Sequence, residues 1–131
     1  MTGRSIEVGM EAERRFKVTE DMAASFIGSG DVSVLSTPSM IALMETTARD
    51  LVQPHLPPEE TTVGTAVNVR HLAPAPVGGE VTVKAKLIEV DRRRLVFGVK
   101  CLYGDTLVGE GTHERFIVNR QKFLSKLSGS R

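Results

Sequence analysis

Histidine is the residue type best suited to acid–base chemistry near neutral pH, and the sequence has three, His55, His71 and His113. His55 lies in a proline-rich loop, where we expect it to be solvated. His71 ends an alternating segment, on the same face as Val67 and Val69, just before Leu-Ala-Pro-Ala-Pro. It is either a histidine at the rim of the core that bonds the backbone, which spacing alone favours, or a general acid or base at the mouth of a pocket.

Two residues of the predicted central helix could also take part in chemistry. Glu45 is either an exposed carboxylate paired with Arg49 at i+4, or a residue that borders the apolar stripe and points into a pocket, and spacing favours neither. Thr37 is a suitable N-cap residue. A hydroxyl at that position also lies beside unsatisfied N–H groups and the positive end of the helix dipole, where a developing oxyanion would be stabilised.

Other candidate groups lie in the strands and turns. Gly64 is either a strand irregularity or a point where a substrate approaches backbone N–H groups. His113 and Arg115 share one face, which lines a pocket or faces solvent. The run Arg92–Arg94 is typical of a solvated turn, although an anionic nucleotide tail could bind there. No two histidines have zinc-ligand spacing, and the single cysteine, Cys101, excludes an internal disulfide or a multi-cysteine zinc site. We therefore expect no metal and no other cofactor.

A long helix is predicted to carry both Thr37 and Glu45. Thr37-Pro38 begins it, because threonine caps well and proline suits the first turn. The prolines from Pro54 onward end it, which gives about 16 residues or about 24 Å. The apolar stripe along the helix consists of Met40, Ile41, Met44, Ala48 and Leu51.

Downstream of the helix the hydrophobic pattern changes to a period of two, which predicts four strands. A single alternating phase runs from Val63 to His71, and a bulge is predicted at Ile88 and Val90. Gly104-Asp105 suits a two-residue hairpin. The remaining features after the helix are strands over Val81–Leu87, Leu95–Tyr103 and about Thr106–Val118, a turn at Asp91–Arg94, and a bend or close backbone approach at Gly109 and Gly111. Before the helix we predict a strand near Glu11–Val18 and a short helical segment near Asp21–Ile27.

Strands joined by hairpins imply an α+β fold in which an antiparallel sheet wraps around one long helix. The 131 residues suit a single domain over 1–131, and 40% apolar content is enough for a core. A net charge of +1 argues against a nucleic-acid binder. No stretch is apolar enough to span a membrane, and the charged N-terminus is unlike a secretory signal, so we expect a cytoplasmic protein. The exposed sheet edge predicts a homodimer.

Three motifs follow one another in the sequence: Thr37-Pro-Ser-Met-Ile-Ala-Leu-Met-Glu45, Gly64-Thr-Ala-Val-Asn-Val-Arg-His71 and Gly111-Thr-His-Glu-Arg115. In this order they resemble the fluoroacetyl-CoA thioesterase-like branch of the hot-dog-fold thioesterases. The resemblance covers about residues 30–123 and implies a hot-dog fold and acyl-CoA thioester hydrolysis. It also implies that Thr37, Glu45 and His71 are the catalytic set and that Gly64 and Arg115 contact the substrate. In such proteins the sites lie at a dimer interface, so that Thr37 and Glu45 of one chain are expected to act with His71 of the other.

The sequence departs from the fluoroacetate-specific pattern before Thr37. The segment Gly28–Ser36 contains no aromatic residue where that enzyme has a phenylalanine-rich lid, which predicts a different or broader acyl-CoA substrate. The alternative function is a non-catalytic acyl-CoA binding or sensing module, although such a binder would need none of the three catalytic residues. An enoyl-CoA hydratase is disfavoured because Ser36 stands where its histidine should be, and a dimeric structural protein would bind no CoA ester at all.

Overall fold

A computed structural model describes residues 5–28 and 30–129 of the chain. Within these residues five antiparallel strands form one sheet, in the order β1-β3-β4-β5-β2. β1 and β2 are therefore the edge strands, and β2 pairs only with β5. The strands are β1 (Glu11–Lys17), β2 (Glu60–His71), β3 (Glu80–Asp91), β4 (Arg94–Tyr103) and β5 (Thr106–Asn119).

The helix α2 (Thr37–Val52) packs on one face of this sheet and contacts all five strands, β3 most extensively. The predicted α+β architecture, with an antiparallel sheet around one long helix, is therefore confirmed. A short helix, α1 (Ala24–Ile27), and a 3₁₀ turn (Glu20–Met22) occupy the predicted helical segment before α2. The core between α2 and the sheet includes Met40, Leu43, Met44, Ala48 and Val52 of the helix, Val81, Val83, Ala85 and Leu87 of β3, and Leu95, Phe97, Val99 and Cys101 of β4.

The N-cap of α2 differs from the sequence prediction. Ser36, not Thr37, is the cap: its extended backbone precedes the helix, and its hydroxyl accepts a hydrogen bond from Ser39 N at 3.1 Å. Thr37 is the first residue of the helix and Pro38 the second. Because Ser36 satisfies the N–H group at the helix start, the Thr37 hydroxyl remains available for another contact.

Three register shifts adjust the strands, and two of them, in β2 and between Cys101 and Leu102 of β4, were not predicted. The predicted slip after Leu87 is confirmed by a register shift between Leu87 and Glu89. In β2 the register also shifts between Gly64 and Ala66, so the single phase predicted for this strand is wrong. The bulge inverts the alternation, so that Gly64 shares the helix-facing side with His71, whereas Val63 lies on the other face.

Glycines support the predicted turn and the predicted close approach. Gly104 has a φ of +60° in the β4–β5 hairpin, which favours glycine. A Cβ atom added to Gly109 would lie 2.5 Å from Met40 Sδ. The helix therefore approaches β5 closely because residue 109 has no side chain.

A C-terminal helix, α3 (Arg120–Gly129), was not predicted. Its signals are present in the sequence, since Asn119 Oδ1 accepts from Lys122 N at 3.0 Å as a cap, and Phe123, Leu124 and Leu127 recur at helical spacing. None of the helices in the described part of the chain is long and apolar enough to cross a membrane. Part of the predicted domain lies outside the described residues: residues 1–4 of the charged N-terminus, Ser29 of the segment Gly28–Ser36, and residues 130–131.

Candidate functional site

Thr37 and His71 meet at the N-terminus of α2. Thr37 Oγ1 lies 2.7 Å from His71 Nδ1, which is a hydrogen-bond distance. The segment before α2 is tied to the loop that follows β2, because Leu35 N donates to Ala75 O at 2.8 Å. This contact brings the first turn of the helix to the end of the strand that carries His71.

The other ring nitrogen of His71 is buried without a partner. His71 Nε2 makes no hydrogen bond to any described residue. Burial lowers the pKa of His71 from its ordinary value near 6.5, and the Ala73 backbone opposes this change. Burial therefore favours the neutral imidazole. Buried polar atoms without partners are uncommon, and catalysis is one of the explanations for them.

A second group of polar side chains surrounds Gly64 in β2. A Cβ atom added there would lie 3.3 Å from Glu45 Oε2, 3.3 Å from His113 Cε1 and 3.5 Å from Arg115 Nη1. Glu45 is half-buried and directed toward β2. Among the described residues it forms no ion pair with Arg49. Two environments were predicted for Glu45, and the structure shows the second: the side chain borders the apolar stripe and points to the sheet.

Arg115 is a buried cation held by uncharged acceptors. It is only 7% exposed. Arg115 Nε donates to Thr62 Oγ1 at 2.7 Å and Nη2 donates to Thr62 O at 3.0 Å, while Nη1 donates to His113 Nε2 at 3.1 Å. Burial lowers the pKa of Arg115, and the negative charge of Glu45 opposes that change. A guanidinium retains its proton in proteins, so a positive charge lies next to Gly64.

His113 is buried beside Arg115 and is 1% exposed. His113 Nδ1 lies 2.9 Å from Ala66 O, directly after the bulge in β2. Burial lowers the pKa of His113, and the Arg115 charge lowers it further, against opposing effects of Ala66 O and of the carboxylates of Glu45 and Glu114. The shared face of His113 and Arg115, left open by the sequence, thus faces the helix. The parity that His113 shares with Ile117, an apolar residue of the same strand, was the sequence signal that could have identified His113 as a site residue.

These two groups are far apart on one chain. His71 is opposite Gly109 in β5, whereas Gly64 is opposite Arg115. Six residues of an antiparallel strand span about 20 Å, and the eight residues from Thr37 to Glu45 span about 12 Å of α2. A single chain therefore contains two separate parts of the predicted site. The resemblance implied that Thr37 acts with His71 of a partner chain, whereas these two residues are in contact within one chain.

The remaining candidates lie elsewhere. His55 Nδ1 is 2.9 Å from Ser5 Oγ, outside both groups. In the run Arg92–Arg94, Arg93 pairs with Glu60 at 3.4 Å, and Arg94 pairs with Glu89 at 2.7 Å and with Glu114 at 2.6 Å. Within the described ranges no three His, Cys, Asp or Glu residues form a cluster that could hold a metal ion.

A cavity of about 590 Å³ opens on the opposite face of the sheet from α2. Its lining includes Arg70, Lys84, Lys86 and Lys100, but no member of either polar group. A concave shape alone does not make it the reactive site, because the clustered acid, base and cation lie on the helix side.

Comparisons with known proteins give a consistent result. The family model for FlK, fluoroacetyl-CoA-specific thioesterase, matches residues 18–121. A fluoroacetyl-CoA thioesterase from Streptantibioticus cattleyicolor is 40% identical over 94 residues, which are 72% of this chain and 68% of that protein. A solved structure of the fluoroacetyl-CoA thioesterase FlK superposes with a TM-score of 0.89 at 32% identity, over 97% of this chain and 98% of the other.

The fold is shared more widely than the sequence. A hot-dog-like protein from Thermanaerovibrio acidaminovorans superposes with a TM-score of 0.88 at 23% identity, covering 95% of this chain and 93% of that chain. At such identity the likeness concerns the fold alone. The architecture expected from the sequence, a hot-dog fold, is thereby confirmed.

Proposed function

Because the chain belongs to the fluoroacetyl-CoA-specific thioesterase family and is a thioester hydrolase, we propose that it hydrolyses acyl-CoA thioesters with Thr37, Glu45 and His71. Gly64 and Arg115 bind the substrate in this proposal. The observation that carries it is the buried Nε2 atom of His71, which lacks a partner among the described residues. A substrate or a water molecule held by the substrate would satisfy this atom.

The proposed site needs two copies of the chain. A thioester carbonyl must lie within about 3–3.5 Å of each group that reacts with it. On one chain, however, His71 and Gly64 are about 20 Å apart along the strands, and Thr37 and Glu45 are about 12 Å apart along α2. We therefore propose a homodimer in which Thr37 and His71 of one protomer act with Glu45, Gly64 and Arg115 of its partner.

The exposed edge of the sheet supports this dimer. Residues 64–68 of β2 are all exposed, and Val67 is 40% exposed although it is apolar and on the helix side of the sheet. An antiparallel pairing of two β2 strands about a two-fold axis near Asn68 would bring His71 of one protomer to the Gly64 bulge of the other. It would also provide hydrogen-bond partners for the exposed backbone groups of the β2 edge of each sheet.

The chemistry follows from the groups thus assembled. Glu45 either removes a proton from the attacking water or attacks the carbonyl carbon itself, and the carbonyl electron pair moves to oxygen. The backbone at Gly64 and the Arg115 charge stabilise this oxyanion. Its collapse breaks the carbon–sulfur bond, and the proton taken from the water reaches the CoA thiolate through His71, whose neutral imidazole accepts it and passes it on. If water attacks, the products are the free acid and CoA. If Glu45 attacks, the collapse leaves an acyl anhydride on Glu45, and water then hydrolyses this anhydride to the free acid and restores the carboxylate.

We infer that fluoroacetyl-CoA is not the preferred substrate. The segment from Gly28 to Ser36 has no aromatic side chain to cover a small acyl group. The aromatic residue that precedes it, Phe26, lies in α1 and is 69% exposed. A broader acyl position is therefore expected at the start of α2.

Free-thiol release from a panel of short, long and aromatic acyl-CoAs tests the function. Fluoroacetyl-CoA and acetyl-CoA should be included, because their ratio of kcat/KM measures fluorine selectivity. Glu45→Gln and His71→Ala should abolish most turnover, whereas His55→Ala is the matched control and should not. Melting-temperature shifts with CoA esters but no thiol release would identify a binding module and contradict the proposal.

A further inference from the structure

Arg115 has hydrogen-bonding capacity beyond its described contacts. A guanidinium has five N–H groups, and three of them donate to Thr62 and His113. Within the described residues, this leaves one N–H on each terminal nitrogen. Nη1 faces the position beside Gly64 that Glu45 Oε2 also faces. The orientation of this nitrogen therefore decides whether the charge is directed to the substrate position or to the carboxylate.

His113 is the residue that holds Nη1. A guanidinium can only donate, so His113 Nε2 must be unprotonated to accept its N–H. A carbonyl can only accept, so His113 Nδ1 must carry the proton that is donated to Ala66 O. Both hydrogen bonds thus require the neutral Nδ1–H tautomer. The ring connects the bulge in β2 with the buried cation.

We propose that His113 is a positioning residue whose neutral imidazole holds Arg115 with a free Nη1–H directed to the carbonyl position beside Gly64. The inference rests on the proposed thioesterase site and adds a residue to it. Without the His113 acceptor, only the two contacts with Thr62 still oppose rotation of the guanidinium toward Glu45. An ion pair between them would neutralise both charges that the reaction needs. The Glu45 carboxylate could then neither attack the carbonyl carbon nor activate water, and the Arg115 cation could not stabilise the oxyanion.

Two near-isosteric variants separate the two hydrogen bonds of His113. His113→Gln supplies an amide oxygen where Nε2 accepts from Arg115. His113→Asn supplies an amide nitrogen where Nδ1 donates to Ala66, but it is too short to reach Arg115. We expect kcat to fall roughly tenfold to a hundredfold in His113→Asn, in line with the loss of a hydrogen bond to a charged group, with KM little changed. His113→Gln should retain most of kcat, and His55→Asn is the control for histidine removal.

A double-mutant cycle with Arg115→Gln tests whether the effect passes through Arg115. His113→Asn should lower kcat in the wild-type background but not in the Arg115→Gln background. Equal losses in both backgrounds would overturn the proposal, as would equal losses in His113→Asn and His113→Gln. A purely structural role would lower the melting temperature in both backgrounds without this dependence of kcat.

The tautomer can be measured on the wild-type protein without any substrate. Imidazole ¹⁵N NMR should show His113 protonated at Nδ1 and unprotonated at Nε2. Protonation at Nε2 would overturn the proposal whatever the turnover. Conversely, a wild-type protein that cleaves no acyl-CoA but shows the Nδ1–H tautomer would refute the proposed function and leave the Arg115 contact intact.

Discussion

Thr37 Oγ1 and His71 Nδ1 lie 2.7 Å apart although 34 residues separate them in the sequence. The contact exists because the cap of α2 is the preceding residue, Ser36. Two adjacent hydroxyls thus have different functions: one satisfies the helix terminus, and the other contacts a histidine whose second nitrogen is buried without a described partner.

This division of functions predicts opposite effects for neighbouring substitutions. Thr37→Val removes the hydroxyl that contacts His71 and should lower kcat by about tenfold or more, since orientation of an acid or base contributes at least that much, with little change in stability. Ser36→Ala removes the cap and should cost about 1 kcal/mol of unfolding free energy while most of kcat remains. Urea unfolding and thiol release measure both; a Thr37→Val protein as unstable as Ser36→Ala would show that Thr37 also has a capping role.

The proposed interfacial site predicts complementation between inactive chains. Glu45→Gln and His71→Ala proteins should each be inactive as homodimers. After mixing and exchange of protomers, half of the dimers are mixed and each has one intact site, so about a quarter of wild-type activity should return.

A second mixture distinguishes a site shared between protomers from a site within one chain. Mixing Glu45→Gln with Glu45→Gln/His71→Ala is the control and should restore nothing, because every dimer then lacks Glu45. No recovery in the first mixture, with exchange verified by mass spectrometry of the dimers, would contradict a site shared between protomers.

Gly64→Ala should reduce activity without unfolding the protein. Its Cβ atom would lie 3.3 Å from Glu45 Oε2 and from His113 Cε1, so the neighbours must move slightly and the methyl group would occupy space next to the carboxylate. We expect kcat/KM to fall by about tenfold to a hundredfold, as for small displacements of reacting groups. Gly98→Ala is the matched control, because its Cβ would be in ordinary contact, 3.8 Å from Ile88 Cγ2. Equal kcat/KM in the two variants would argue against close approach of the substrate at Gly64.

Acid should destabilise the wild type more than a His113→Gln variant. Burial lowers the pKa of His113 below its ordinary value near 6.5. As the pH falls below 6.5, the unfolded chain takes up a proton that the folded protein resists, so the free energy of unfolding decreases until the folded pKa is reached. The decrease from this residue is at most about 1.4 kcal/mol per pH unit.

Urea unfolding at pH 7.5 and pH 5.5 measures this effect. His113→Gln should be less stable than wild type at pH 7.5, because it lacks the Nδ1–H bond to Ala66, but its stability should depend less on pH. His71, whose pKa burial also lowers, contributes to the remaining dependence in both proteins. Parallel pH dependences in wild type and variant would contradict a buried neutral His113.

The elements of this protein follow from local sequence patterns, because helix and strand periods are properties of a few consecutive residues. The stripe of α2 and the alternation of β4 predicted the bounds of these two elements closely, the alternation of β3 predicted its position, and Gly104 predicted the hairpin. Local patterns were insufficient where two residues were equally suitable. Ser36 and Thr37 are both good caps, and only the contact of the helix start with the loop after β2 distinguished them.

The candidate site depended on tertiary structure for the same reason. An unpredicted bulge after Gly64 inverted the alternation of β2, and it brought Gly64 to the helix side with His71. Helical spacing left Glu45 between solvent and pocket until the packing of α2 against the sheet directed it to β2. Motifs shared with thioesterases identified Thr37, Glu45 and His71 as candidates. Their division into two groups places His71 about 20 Å from Gly64 along the strands and Thr37 about 12 Å from Glu45 along α2. Strand register and helix packing decided this division, because they bring together residues distant in the chain and leave no local signal.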